Sequence, residues 1–271
     1  MSVLGKRVFS AIIAIFFLIL MFWIGGWFFD LVLVIVSLIG MKEIYQAFSN
    51  KGMFPQKMAG YQILILFYLQ RFLFIGKYDF LYIMIAIVLL LSIMVWKTSV
   101  KPDDIAVTLL GVFYPGILLM TAGLMKEAAF VHSYYLLYLS LTATYGTDTF
   151  AYFVGRLLGK RKLCPAISPN KTVEGSIGGL TGGFFLVMLL GFVLNWVYNI
   201  DIHPIHFAMI GLLGGVFSQI GDLTASAIKR YCNIKDFGNL IPGHGGILDR
   251  IDSLLFVLPV VYVYSQLVLM G

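Results

Sequence analysis

Aspartates stand in this sequence where an apolar chain tolerates them least. Asp148 lies inside a long apolar run, in Thr144-Tyr-Gly-Thr-Asp148-Thr-Phe-Ala-Tyr152-Phe-Val-Gly155-Arg156. An aspartate at the centre of a membrane helix costs about 2.5–3.5 kcal/mol, so it turns toward a polar interior. There it serves a function or a packing ion pair. Thr144, Tyr152 and Gly155 fall three or four residues from it or from one another, on one helical face.

A second group follows Gly221. Asp222, Ser226 and Lys229 are spaced by four and three on one helical stripe, with Arg230 beside them. Lys235 and Asp236 come next, then Gly238, Gly243, His244, Gly245 and Gly246, then Asp249, Arg250 and Asp252. Asp249 and Asp252 are three apart and share a face. The spacing thus sets Asp222, near the end of one apolar run, against a carboxylate pair at the start of the next. Hard cations such as Mg2+ take oxygen ligands, commonly one or two carboxylates completed by substrate phosphates and water. Carboxylates interleaved with lysine and arginine therefore suit a polyphosphate held through a metal. Asp222 and Asp249 are the first candidates for metal ligands, with Asp252 and Asp148 next. Salt bridges to Arg230 and Arg250 are the plainer reading of the same aspartates. The glycines let backbone approach a bound group closely. His244 is a candidate acid, base or phosphate donor. Four scattered histidines make no His-rich site, so zinc and iron are not expected.

A third segment reads Ser168-Pro169-Asn170-Lys171-Thr172-Val-Glu174-Gly175. Ser168 with Pro169 suits a helix N-cap followed by proline at the first helical position, and Asn170 is an alternative cap. Either way Lys171 falls at a helix start, where free N–H groups and a full positive charge attract phosphate. Ordinary capping with a snorkelling lysine accounts for the segment equally well. Gly175, Gly179 and Gly183 then recur every four residues, as do Gly211 and Gly215. Small residues at this spacing let membrane helices approach, so these glycines are expected to set the packing of the seventh and eighth apolar runs and to carry no chemistry.

The elements that must position these residues follow from composition. The chain has 271 residues, 60% hydrophobic and 12% charged, with mean hydropathy +0.94. Soluble domains carry about 25% charged residues. So apolar a chain cannot bury its surface in one globular core, whereas apolar helices satisfy their own backbone in lipid. About 20 apolar residues span a bilayer. Nine stretches qualify, at about 8–24, 27–41, 58–75, 79–96, 105–125, 133–155, 174–198, 205–228 and 252–270. The fold expected is an all-α polytopic membrane protein. Lys6 and Arg7 before the first run resemble the start of a signal peptide, but that run is long, lacks a small-residue cleavage site and is followed by more spans. The first two runs are joined only by Gly25-Gly26, which predicts a tight helical hairpin. Cys164 and Cys232 fit no zinc or redox spacing and are expected to be unpaired thiols.

Lys and Arg placement orients the chain. With nine spans and a cytoplasmic N-terminus, only Arg71, Lys77 and Lys126 of the 19 Lys and Arg fall outside, and the C-terminus lies outside. Residues 1–130 read as scaffold. Residues 131–271 read as the catalytic half, carrying two inner loops at about 156–173 and 229–251. The short stretch before the first run points to a bacterial inner membrane.

The run from Ser226-Ala-Ile-Lys229-Arg230 through Lys235-Asp236 to His244-Gly-Gly-Ile-Leu-Asp249-Arg250-Ile-Asp252 resembles the signature of the phosphatidate cytidylyltransferases, the CDP-diacylglycerol synthases. Ser168–Gly175 and Asp148–Arg156 also resemble that family. The likeness is dense over residues 144–253, whereas residues 1–130 resemble it only in hydropathy. It implies that CTP and phosphatidic acid give CDP-diacylglycerol and pyrophosphate, with Mg2+ and a homodimer. Nucleic acid has no place in this chemistry.

The reaction suits the residues. A lipid phosphate is already anionic and needs no strong base to attack the α-phosphorus of CTP. Catalysis is then mainly positioning and charge neutralisation, and paired cations suit in-line displacement. Lys171, Lys229, Arg230 and Arg250 are expected to hold phosphates, with Ser168, Asn170, Thr172 and Ser226 near substrate. Lys235, Asp236 and His244 are expected to order the loop or touch nucleotide. Two rivals remain. A CTP-dependent lipid-alcohol kinase would move the γ-phosphate instead. An ion-coupled transporter would use Asp148 and Asp222 as coupling residues, but it usually shows symmetric broken repeats. A CDP-alcohol phosphatidyltransferase is disfavoured because no D-G-x-x-A-R run is present.

Overall fold

The computed structural model describes residues 3–74, 76–128, 132, 134–241, 243 and 245–269. It is an all-α membrane protein with, among the described residues, one small hairpin. Its helices are α1 Val3–Ile24, α2 Gly26–Ser49, α3 Lys57–Phe74, α4 Asp79–Trp96, α5 Pro102–Gly111, α6 Leu118–Glu127, α7 Tyr135–Leu158, α8 Val173–Tyr198, α9 Pro204–Tyr231 and α10 Leu248–Tyr264. Strands β1 Lys162–Cys164 and β2 Ser168–Thr172 pair antiparallel between α7 and α8. Among the described residues, five helical stretches are long and apolar enough to cross a membrane: Asp79–Trp96, Pro102–Glu127, Val173–Tyr198, Pro204–Tyr231 and Leu248–Leu269.

The chain forms two compact units, residues 1–119 with 231–249, and residues 120–230 with 250–271. The glycine-rich loop after α9, grouped with the second half by its charges, belongs to the first unit.

In the first unit α1 and α2 meet at Gly25 and Gly26, with φ of 60° and 50°. This is the left-handed region that glycine enters without steric penalty. The core gathers around α2. Tyr45 is fully buried and donates its hydroxyl to the Thr108 carbonyl at 2.9 Å. Gly40 leaves room for Pro115, whose Cβ would lie 2.8 Å from a Cβ at that position. The stretch expected as one span at 105–125 is helical throughout but widens into a π-helical turn at Val112–Ile117. Pro115 lies within that turn, and a proline has no N–H to offer the carbonyl four residues back. Asp104 ties the start of α5 by accepting the N–H groups of Lys101 at 2.9 Å and Phe54 at 2.6 Å.

In the second unit α7 and α8 pack along the glycine stripe. A Cβ at Gly179 would lie 2.7 Å from the Thr147 carbonyl and 2.8 Å from the Ala151 Cβ. One at Gly175 would lie 2.9 Å from the Gly155 Cα. Gly175, Gly179 and Gly183 therefore serve contact with α7, whereas Gly211 and Gly215 face α8 through Phe184, Val187 and Leu180. Both helices therefore pack through their glycines as expected, α8 against α7 and α9 against α8. Each stripe serves whichever neighbouring helix its own face meets.

The start of α8 also differs from the sequence reading. Ser168–Thr172 is strand rather than cap and first turn, because it pairs with Lys162–Cys164. Thr172 is the N-cap, its hydroxyl accepting the Gly175 N–H at 3.1 Å. A β-branched threonine fits the extended end of a strand while capping the helix that follows. Glu174, in the first turn of α8, accepts the N–H groups of Lys160 at 2.9 Å and Arg161 at 3.1 Å, which fixes the hairpin's entry.

Candidate active site

The second unit draws acids and lysines from four elements into one cluster. Asp148 comes from α7, Lys171 from β2, Asp222 and Lys229 from α9, and Asp252 from α10. The Lys171 ammonium pairs with the Asp222 carboxylate, and the two side chains keep 26% and 30% of their surface exposed. Ser218, one turn before Asp222, donates to Asp148 Oδ1 at 3.5 Å, and Ser253 also hydrogen-bonds to Asp148. Asp252 is buried and accepts the Ser253 N–H at 2.8 Å. The carboxylates of Asp148, Asp222 and Asp252 are near enough to repel one another, and Lys171 and Lys229 are near enough to offset part of that repulsion.

Gly221 permits this meeting. A Cβ there would lie 2.8 Å from the Asp252 carbonyl and 3.0 Å from the Ser253 Cα, so α9 and α10 touch backbone to backbone beside the acids. Like charges gathered in a half-buried place cost free energy unless counter-charge or hydrogen bonds offset it. Two serines and two lysines do so here.

Other residues singled out in the sequence lie elsewhere. Thr144 is buried and bonds the Ser140 carbonyl of its own helix at 2.9 Å. Tyr152 is exposed and accepts from Arg156 at 3.0 Å. Gly155 faces Thr172 and Gly175. Ser168 and Asn170 sit on the hairpin with Lys171, and Thr172 is occupied as the cap. Arg230 is exposed and donates Nε to the Ile167 carbonyl at 3.2 Å, which ties the end of α9 to the hairpin. Ser226 is half-buried one turn beyond Asp222, and Arg250 is exposed at the start of α10. Tyr145, absent from the sequence reading, sends its hydroxyl to the Arg250 carbonyl at 3.4 Å.

The remaining candidates belong to the first unit. Asp249 Oδ2 accepts the N–H groups of Phe237 at 2.8 Å and Gly246 at 3.0 Å, folding the glycine-rich loop back on itself. Lys235 and Asp236 are exposed on that loop, and His244 lies outside the described residues. Beneath the loop, Glu43 of α2 is 6% exposed. Its burial pushes the carboxyl above the usual range, against the pull of the Leu248 and Ile247 N–H groups. Cys164 and Cys232 are unpaired, and burial raises the Cys232 thiol.

The donor set bears on magnesium. Among the described residues, no three His, Cys, Asp or Glu side chains form a ready metal cage. Mg2+ seldom uses such a cage. One or two carboxylates completed by substrate phosphates are its common arrangement, and Asp222 with Asp148 or Asp252 meets that requirement.

Membrane helices that gather acids and lysines into one partly open cluster define a class suited to anionic, phosphate-bearing substrates. The cytidylyltransferase family profile matches residues 5–268. The phosphatidate cytidylyltransferase of a Synechocystis species is 31% identical over 289 aligned positions, covering 97% of each chain. That of Bacillus subtilis is 52% identical over 118 residues, which are 44% of this chain and 42% of the relative. That of Staphylococcus haemolyticus is 42% identical over 156 residues, 58% of this chain and 57% of the relative. The last two alignments thus span about half of those relatives, whereas the first runs nearly end to end. The chain belongs to the cytidylyltransferase family.

Proposed function

We propose that the acid-and-lysine cluster of the second unit is where this chain carries out its family's reaction. The reaction transfers a cytidylyl group from CTP to phosphatidic acid and yields CDP-diacylglycerol and pyrophosphate. A phosphate oxygen of the lipid attacks the α-phosphorus of CTP. The new P–O bond forms as the bond from the α-phosphorus to the bridging oxygen breaks, and that oxygen leaves with pyrophosphate. The attacking phosphate is already anionic, so the protein's task is to align it and to neutralise charge.

Lys171 and Lys229 supply positive charge where the phosphates meet. Asp148, Asp222 and Asp252 supply oxygen donors, and Ser218 and Ser253 hold Asp148 in place. Magnesium bound by Asp222 and a neighbouring carboxylate would screen the triphosphate and make the α-phosphorus more electrophilic. Asp249 belongs to the same chemistry through the resemblance of its segment, as do the basic groups of Arg230 and Arg250. The observation that carries the reading is the meeting of Asp148, Lys171, Asp222 and Asp252 from four separate elements. Packing alone does not call for it.

The chain crosses the membrane nine times in this reading, with its N-terminus in the cytoplasm and its C-terminus outside. Support comes from the Lys and Arg count, with only Arg71, Lys77 and Lys126 on the outer side. Lys171, Lys229 and Arg250 then all lie at the inner face, open to CTP, in a bacterial inner membrane. A homodimer is part of the reading on the family resemblance alone.

The test uses purified protein in detergent with phosphatidic acid, Mg2+ and CTP labelled at either the α- or the γ-phosphorus. Label from the α-position is expected in the lipid fraction and label from the γ-position in pyrophosphate. Lipid labelled only from the γ-position would show a kinase instead. Lipid unlabelled from either position would end the transferase reading.

A further inference from the structure

Glu43 lies far in sequence from every motif that suggested chemistry, yet it is buried and both of its carboxylate oxygens are engaged. Its Oε1 accepts the Ile247 N–H at 3.0 Å and its Oε2 accepts the Leu248 N–H at 2.8 Å. These donors sit at the start of α10, where a helix leaves its first N–H groups without partners of its own. A cap normally comes from a neighbouring Ser, Thr, Asp or Asn. Here it comes from another helix, 204 residues away in the chain.

The loop is shaped to receive this carboxylate. A Cβ at Gly238 would lie 2.6 Å from Glu43 Oε1, and one at Gly246 would lie 2.6 Å from Oε2. Both positions therefore need glycine for the backbone to lie on the acid. Between them Gly243 and Gly245 adopt φ of 79° and 84°, and the Ile241 N–H closes the turn on the Gly245 carbonyl at 2.9 Å. On the other side Asp249 holds Gly246 and Phe237 through their N–H groups. Gly246 is thus gripped between two carboxylates, Glu43 against its Cα and Asp249 on its N–H.

We propose that Glu43 is a positioning residue: it anchors the glycine-rich loop and the first turn of α10, and so fixes where Asp249 stands. Burying a carboxylate is costly without hydrogen bonds to each oxygen. Those bonds are satisfied only when Ile247 and Leu248 are in place, so Glu43 selects one arrangement of the loop. A mere helix cap would stabilise α10 without bearing on turnover. An anchor for Asp249 must show in turnover. This inference rests on the reading in which Asp249 serves cytidylyl transfer.

The test compares wild type, Glu43→Gln and Glu43→Asp as purified full-length protein. Glutamine puts an NH2 group against one of the two N–H donors. Aspartate keeps charge and both acceptors but is one methylene short. Losing one such bond is expected to speed amide exchange at Phe237, Gly246, Ile247 and Leu248 by about tenfold in Glu43→Gln, with kcat falling by a similar factor. KM for phosphatidic acid is expected to stay within about twofold, because lost alignment acts on the transition state rather than on uniform binding. Glu43→Asp should recover part of both effects. In an Asp249→Asn background, Glu43→Gln should lower kcat no further.

Faster exchange with unchanged kcat would reduce Glu43 to a cap and overturn the proposal. Unchanged exchange would overturn it too. Should Glu43→Gln fail to fold, Gly238→Ala pushes a methyl onto the same carboxylate from the loop side. It must then show the same joint change in exchange and kcat, and its absence counts against the anchor. Wild-type protein that makes no CDP-diacylglycerol would defeat the functional reading, and exchange would still report whether Glu43 holds the loop.

Discussion

Asp222→Asn separates chemistry from stability. The substitution keeps size and removes the charge that pairs with Lys171. Both partners keep a quarter to a third of their surface exposed, so water screens the pair, and its contribution to stability is about 1 kcal/mol or less. For a chain of this size that corresponds to a melting shift of about 2–4 °C. Relief of repulsion from Asp148 and Asp252 makes the net shift smaller still. The effect on turnover is of another order. Removing one preorganised electrostatic group from a site of this type costs about 100- to 1,000-fold in kcat, or about 2.7–4 kcal/mol of transition-state stabilisation. The assay is pyrophosphate release from CTP in mixed micelles with phosphatidic acid, run beside a thermal scan in the same detergent. Because Lys171 and Asp222 act as one unit, Lys171→Met in the Asp222→Asn background should cost far less than it does alone. Asp222→Asn turnover within about threefold of wild type would refute the reasoning. So would a loss of turnover that merely tracks loss of the folded state.

Four further outcomes are expected. Asp249→Asn retains a carbonyl oxygen for the Phe237 and Gly246 N–H groups, so its exchange pattern should match wild type while steady-state turnover falls by orders of magnitude. Chelation with EDTA should abolish turnover and added Mg2+ should restore it, with the folded state unchanged by circular dichroism. Gly179→Val inserts bulk where a Cβ already meets Thr147 and Ala151, so a thermal scan should show a destabilisation of about 1–3 kcal/mol. Cys232 is buried with its thiol pKa raised, which leaves little thiolate at neutral pH, so mass spectrometry should find it slow to react with a maleimide until the protein is unfolded.

Hydropathy made the helices legible because lipid leaves the backbone almost no other choice. The run at 79–96 and helix α4 Asp79–Trp96 share both ends. The start of α8 was harder. Ser168-Pro169 is the stronger local cap signal, and only pairing with Lys162–Cys164 makes Thr172 the cap. Asp148, Asp222 and Asp252 were conspicuous as charges in an apolar chain. Their supporting serines were not, because Ser218 of α9 and Ser253 of α10 gain their role only where those helices meet Asp148 of α7. Glu43 gave no signal at all. A single acid near the end of an apolar helix reads as surface, and its partners lie more than 200 residues away.

The most direct measurement of the central claim is anomalous scattering from crystals of the protein grown with CTP and Mn2+ in place of Mg2+. The account predicts a manganese peak within coordinating distance of Asp222 and of Asp148 or Asp252, with CTP phosphates completing the ion's ligands and Lys171 beside them. A well-ordered CTP bound apart from these residues, with its metal on other groups, would contradict it.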